Sequence, residues 1–450
     1  MIQFPHYSLK ELYYEFLMPL YHKYREIEKR GIKVDFNQRK KLDDSYSILL
    51  KEKHDLLNIL AEKEINYNSN AGRNGQVPHL IFVQLGCPIR ASVDDETLTA
   101  LKLNVLKKSS KWALAIRIID LVLECRKIHK TLNTYIRFRS DPDGRARTNY
   151  SLVKETGRTS TSILKPPVRH IKYGLAFQTI TKYAEFGKDI RSMLIPDNGK
   201  WFVEVDQSQA EARVVMLLAE DYKILDKMND PKFDLHVLTS SWIWPEIFKQ
   251  YKIDDFYFKR EAKTILQPNG EPYRQRGKKA RHAGHYDEGA TKLALDMKVG
   301  VNVAKLALTK FHENSPNIRG IFHKGIQDAL LIDKKLSTPI GRIREFYEKW
   351  GDKLFKEAYA QIPQSSVSDL TKWAMMQSMN QGIEVIIESH DSFTYQIEPE
   401  RLDWSLGVIK PFMESEIDFS TCSLPRGKIS IPMETKVYKE NLEKGENYVK

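Results

Sequence analysis

WFVEVDQSQAEARVVMLLAED, residues 201–221, is the stretch whose reading decides the fold. Trp201, Phe202, Val203 and Val205 mark a buried strand that ends at Asp206. A helical pattern follows, with Val214, Val215, Leu217 and Leu218 on its apolar face. A carboxylate at the end of a core strand is costly to desolvate unless a cation or a set of hydrogen bonds accompanies it. Asp206 is therefore a candidate metal ligand.

A second acid has a similar setting. Residues 385–389, VIIES, and 393–397, FTYQI, read as strands, with His390, Asp391 and Ser392 in a tight turn between them. Asp is a common turn residue, so Asp391 gains weight only beside Asp206: strands of one sheet could bring the two acids together. Neighbouring carboxylates repel each other, and divalent cations relieve that repulsion. Mg²⁺ is typically held by one or two carboxylates plus substrate phosphates, and two such ions can activate an attacking hydroxyl and stabilise a leaving oxygen.

Arg274, Lys278, His282 and Tyr286 recur every four residues. On a helix they form a slowly winding stripe roughly 18 Å long. Cations at one end and an imidazole and an aromatic ring at the other suit an extended triphosphate. Arg276, Lys279 and Arg281 crowd the same segment, so a solvated basic helix and a register using Lys279 are both open readings. Gly277 and Gly284 weigh against a helix here.

Around these stretches the chain has 450 residues, 41% of them apolar and 29% charged, which implies a globular protein of two or three subdomains. Lys and Arg total 71 against 59 Asp and Glu, a net charge of +12 that suits a polyanionic partner. The three cysteines, Cys87, Cys125 and Cys422, have no metal-type spacing and indicate a reducing compartment. The first residues, MIQFPHYSLKELYYEF, do not form a signal peptide, and residues 112–125 are broken by Arg117 and Asp120. No membrane association is expected, and the setting reads as intracellular.

Residues 8–30 are predicted helical through Leu12, Phe16, Leu20, Tyr24 and Ile27, with Gly31 as the stop and a short strand at 32–35. Helices are expected at 38–64, 92–108 and 111–134, a turn at 141–145, a strand at 147–153, a hairpin-like turn at 338–342 and a helix at 353–379. Lys107, Lys108, Lys111, Arg126, Lys127 and Lys130 give the early helices basic edges, either a solvated surface or a grip on a phosphate backbone.

These residues carry a resemblance to family A DNA polymerases. Asp206-Gln207-Ser208-Gln209-Ala210-Glu211-Ala212-Arg213 resembles the family's motif A. His390-Asp391-Ser392 resembles motif C, and the Arg274 to Tyr286 stripe resembles motif B. Thr156-Gly157-Arg158, the Phe177–Thr179 region with Ile180, Asp234-Leu235-His236, Gln364, and the run from Glu124 to Tyr135 are similar to further family segments.

The resemblance implies an α+β right-hand polymerase fold, with an antiparallel palm sheet and helical thumb and fingers. The palm would comprise 1–35, 139–222 and 353–450, the thumb 36–138 and the fingers 223–352. It implies two Mg²⁺ ions, with Mn²⁺ as substitute, on Asp206, Asp391 and the Gln207 carbonyl. Arg274, Lys278, His282, Tyr286, Glu211, His236 and Gln209 would bind the dNTP. Lys278 would also be catalytic, and Glu211 would exclude a ribose 2′-hydroxyl. Arg158, Gln178, Gln364 and His390 would touch the primer-template. The implied activity is template-directed primer extension with dNTPs by a monomeric, cytoplasmic enzyme of prokaryotic or viral type. Little sequence precedes the thumb-like region, so no proofreading or 5′-nuclease domain is expected. A separate exonuclease, helicase or processivity factor would then be a partner.

The departures from the family pattern are Ser392 for a usual Glu, Gln207 for Tyr, His282 for an aromatic ring, Asp287 for Gly and an apparent insertion at 242–272. His390-Asp391-Ser392 also occurs in single-subunit RNA polymerases, which makes such an enzyme the alternative. Glu211 and the Thr156-Gly157-Arg158 segment oppose it. A non-catalytic primer-template binder is a third reading, opposed by the presence of both acids and the whole stripe.

Overall fold

The computed structural model describes residues 2–70, 75–163, 173–180, 186–230, 233–249, 264–267 and 271–448. Most of the apparent insertion, residues 250–263 and 268–270, lies outside the described residues. Strand β1 (Trp201–Gln207) runs one residue past the predicted end. Ser208 and Gln209 break it, and Gln209 adopts a left-handed φ of 52° before helix α1 (Ala210–Leu218). In chain order follow α2 (Leu235–Ile243), α3 (Tyr273–His285), α4 (Val301–Asn314) and α5 (Asp352–Asn380). Strands β2 (Glu384–Ser389), β3 (Ser392–Ile397), β4 (Met433–Tyr438) and β5 (Glu446–Asn447) complete the set.

The chain divides into two compact units: residues 1–38, 138–233 and 315–450 form the first, and 39–137 with 234–314 form the second. In the first, five strands are ordered β5-β4-β1-β3-β2, and every pairing is antiparallel. Val205 lies opposite Phe393 and Val203 opposite Tyr395, and all four are buried. Such β-branched and aromatic cross-strand pairs favour one register of the sheet. Helix α1 is apolar nearly all round, and its Val214–Leu218 stretch is buried, as expected for a helix enclosed in a core. Helix α5 packs on α1, β2 and β3.

The N-terminal helix forms as Leu9–Glu11, a π-helical turn Leu12–Leu17 and Met18–Arg30. Ser8 and Glu11 make a reciprocal capping box, satisfying two otherwise unpaired amides. Gly31 ends the helix at φ 61°, where a Cβ would fall 2.7 Å from the Ala146 carbonyl oxygen. Ile32–Val34 then pairs antiparallel with Arg145–Ala146 and Leu194–Ile195. The turn at 338–342 joins the antiparallel strands Lys335–Ser337 and Ile343–Glu345, as predicted.

In the second unit, helix Phe36–Ala61 is shifted two to three residues toward the N-terminus of its predicted span, Asp95–Asn104 is shorter than predicted, and Ala113–Lys130 continues as a π-helical segment to Ile136. They enclose Leu57, Leu98, Leu101, Ile118 and Val122. Arg126 does not belong to a basic edge. It is 8% exposed and donates to the carbonyls of Tyr67 (2.7 Å) and Val93 (2.6 Å) and to Asp95 (3.1 Å). Two of its four acceptors are backbone oxygens, which residue types do not reveal, and the others are Asp95 and Asn70 Oδ1.

Helix α3 forms despite its two glycines. A Cβ at Gly277 would lie 2.2 Å from the His236 carbonyl oxygen, and one at Gly284 would lie 2.1 Å from the Phe311 ring. Glycine thus lets α2 and α4 approach α3 closely, which offsets its unfavourable helix propensity. The cysteines are free and buried, and no helix among the described residues is long and apolar enough to cross a membrane. Gly284→Ala is expected to overpack the contact with Phe311 and cost about 1–3 kcal/mol. Thermal unfolding should show a lower midpoint, and an unchanged midpoint would contradict this packing.

Candidate active site

The sheet register brings the two acids' backbones together. Ser392, the first residue of β3, pairs directly with Asp206. Asp391 precedes it, and its carbonyl accepts from the Gln207 amide at 3.0 Å. His390 and Asp391 form the two-residue loop of the β2–β3 hairpin, where Ser389 pairs with Ser392. His390 has φ 61°, an uncommon conformation for a residue with a Cβ. Its amide donates to Glu388 Oε1 at 2.7 Å, which ties down the loop.

Asp206 and Asp391 are both partly exposed. Their hard oxygen donors suit Mg²⁺ or Mn²⁺. Among the described residues no group of three His, Cys, Asp or Glu side chains is placed to hold a metal. Two carboxylates leave the rest of a Mg²⁺ shell to water, backbone carbonyls and substrate phosphates. Beside them the Gln207 side chain is 1% exposed, and neither its oxygen nor its nitrogen has a hydrogen-bond partner among the described residues. An unsatisfied buried carboxamide is unfavourable.

Four other sequence-predicted residues are linked within this unit. Arg158 forms an ion pair with Glu211, which lies in the first turn of α1. Gln178 Nε2 donates to Thr159 Oγ1 at 2.6 Å and to Glu388 Oε2 at 3.2 Å. Burial lowers the His390 pKa, with Arg158 and Lys372 also lowering it, while Glu388 opposes the shift. Gln364 is half-buried on α5. Glu388 is the residue the sequence reading passed over. It is wholly buried and accepts from Thr159, Gln178 and the His390 amide, while Tyr150 meets its backbone. Its position in an otherwise apolar strand, VIIES, was the available signal.

The remaining predicted residues belong to the second unit. Lys278 and His282 are exposed on α3, Arg274 is half-buried, and Tyr286 is buried at the helix C-terminus. His282 meets Tyr286 edge-on at 4.9 Å. The other basic residues have separate tasks. Arg281 is buried, with Nε donating to Thr239 at 2.7 Å; Lys279 pairs with Glu271 at 3.0 Å; Arg276 reaches the Met297 carbonyl at 3.2 Å. Asp234 caps α2 and accepts from Arg274 Nε at 2.8 Å. His236 is 8% exposed, and its Nδ1 has no partner among the described residues. Burial lowers its pKa well below the usual imidazole value, with Arg274, Lys278 and Arg281 adding to the shift and Asp234 opposing it. Asp287, where the family usually has Gly, has φ 51°, and Asp tolerates that left-handed region better than most residues.

An antiparallel sheet with one acid on its central strand and another on the adjacent hairpin defines a polymerase-type fold when set beside solved structures. The POL domain of Pol1 from M. smegmatis, solved in complex with DNA primer-template and dNTP, matches with a TM-score of 0.72 at 19% identity, covering 96% of this chain and 70% of that one. The α+β polymerase fold expected from the sequence is thus the observed fold. The sequence also matches DNA polymerase family A over residues 37–441, and the chain belongs to that family. DNA polymerase I of Bacillus subtilis (strain 168) is 27% identical over 237 residues, 51% of this chain and 24% of its own length. The thermostable DNA polymerase I of Thermus aquaticus is 22% identical over 431 residues, 90% of this chain and 46% of its own length. The chain spans less than half the length of these relatives.

Removing the Glu388 carboxylate would leave several buried donors unpaired. Glu388→Ala is expected to destabilise the protein by about 3–5 kcal/mol. Thermal unfolding of the variant measures this, and a midpoint equal to that of the parent protein would contradict the assigned role.

Proposed function

We propose that this chain is a template-directed DNA polymerase that extends a primer 3′-hydroxyl with deoxynucleoside triphosphates. The observation that carries the reading is the register of β1 with β3, which sets Asp391 beside the segment containing Asp206. Membership of family A, and a fold like that of a polymerase domain solved with DNA primer-template and dNTP, support it. In the reaction the primer 3′-oxygen loses its proton and bonds to the α-phosphorus, and the bond to the β-phosphate breaks to release pyrophosphate.

Asp206, Asp391 and the Gln207 carbonyl are the proposed ligands for two Mg²⁺ ions, or Mn²⁺ in their place. When bound, such ions make the primer hydroxyl more acidic and offset charge on the phosphates. Arg274 and Lys278 would grip the triphosphate and neutralise the charge that builds on the leaving pyrophosphate. Lys278 is exposed on its helix, while Asp234 holds Arg274 at one fixed point. His236, which burial shifts toward the neutral form, would donate one N–H hydrogen bond to a phosphate oxygen.

Glu211, Gln209 and Tyr286 would each serve nucleotide recognition, as the family resemblance implies, and His282 lies against the Tyr286 ring. Glu211 would crowd a 2′-hydroxyl and so select deoxynucleotides. Arg158, Gln178, Gln364 and His390 would contact the primer end or the primer-template minor groove, whose acceptors are shared by all correct pairs. This reading keeps 36–138 as thumb, 223–352 as fingers, and 1–35, 139–222 and 353–450 as palm.

Primer extension with Mg²⁺, run separately with dNTPs and rNTPs, tests the proposal. Deoxynucleotide-dependent extension is expected from the parent protein. Asp206→Asn or Asp391→Asn should reduce the extension rate by about 10²–10³-fold or more. Primer-template affinity should be kept or tightened, because each variant removes a negative charge near a polyanion. Full extension by either variant would remove the assignment of that acid.

A further inference from the structure

Helix α5 presents a row of buried polar side chains to one short segment of chain. Gln361, Ser365, Asp369 and Lys372 are each no more than 1% exposed. Their spacing of four, four and three places them on one helical face. Gln361 Nε2 donates to the Glu155 carbonyl at 3.4 Å, Ser365 Oγ to the Thr156 carbonyl at 2.7 Å, and Lys372 Nζ to the Gly157 carbonyl. Three successive backbone oxygens are thus held by one helix.

Asp369 completes the row by binding Arg342 at two points, 3.0 Å and 2.8 Å. The Arg342 guanidinium lies against Gly157, where a Cβ would fall 2.8 Å from Nε at a φ of +69°. Only glycine fits there without displacing the arginine. The next residue is Arg158, and it pairs with Glu211.

We propose that Lys372 is a positioning residue: by holding the Gly157 carbonyl it fixes Arg158 against Glu211, and so sets how strongly Glu211 rejects a ribonucleotide. The inference rests on the proposed sugar-selecting role of Glu211. A buried ammonium is costly to desolvate and is held there only by its partners. The charged groups facing it are Asp369 on its own helix, Glu388 on β2, Arg342 and Arg158. Burial lowers its pKa to about 8, with Arg342 and Arg158 adding to the shift and the two carboxylates opposing it.

The test is a double-mutant cycle on the ratio of kcat/KM for dNTP to that for rNTP. Lys372→Met should lower this ratio by about tenfold, the scale of one charge-assisted hydrogen bond. The thermal midpoint should fall as the Gly157 carbonyl loses this buried donor, so the ratio is read at a temperature where the variant is folded. Combined with Glu211→Ala, the Lys372→Met change should have no further effect on the ratio, because both act through one contact. An unchanged ratio in Lys372→Met, or effects that multiply in the double variant, would overturn the proposal. A ratio unmoved by Glu211→Ala alone would instead overturn the sugar-selecting role, and the proposal with it. If Lys372→Met does not fold, Ser365→Ala, which frees only the Thr156 carbonyl, should lower the ratio in the same direction; an unchanged ratio there also counts against the proposal.

Discussion

The pairing of β1 with β3 is the constraint on which the rest of the site depends. A slip of one residue would move every side chain of β1 to the opposite face. The buried pairs Val205–Phe393 and Val203–Tyr395 resist that slip, because the opposite face holds the buried polar side chains of Glu204, Thr394 and Gln396. A plain apolar packing preference therefore fixes where Asp206 stands. The two-residue hairpin loop does the same for Asp391, and Glu388 secures it by accepting from the His390 amide.

Buried polar groups take up where the apolar register ends. Glu388 gathers Thr159, Gln178 and the His390 amide, and α5 gathers the carbonyls of residues 155–157. A fully paired network inside a low-dielectric core is rigid, and an incompletely paired one is costly. Helix α3 shows the same division of labour in the second unit. One side is packed through Gly277, Gly284 and Arg281, which leaves Lys278 and His282 exposed.

The strand-break-helix of residues 201–218 and the hairpin at 384–397 were legible because their apolar runs are bounded by polar residues at Asp206–Gln209 and His390–Ser392. The extent of the helix over 353–379 was legible to within a residue at each end, but its burial of Asp369 and Lys372 was not. Their partners lie at positions 342 and 157, far away in the chain. Arg126 read as a surface charge because two of its acceptors are main-chain oxygens. Gly277 and Gly284 read as flaws in a helix because the atoms that need the space, at His236 and Phe311, belong to other helices. In each case the residue type was visible and the long-range neighbour was not.

The central claim is that Asp206 and Asp391 share divalent ions when nucleotide and primer are present. Electron paramagnetic resonance of Mn²⁺ titrated into the complex of this protein with a chain-terminated primer-template and dNTP measures it directly. Two bound ions per protein are predicted, with binding lost or reduced in Asp206→Ala and in Asp391→Ala. Two ions bound as tightly in both variants as in the parent protein would contradict the account.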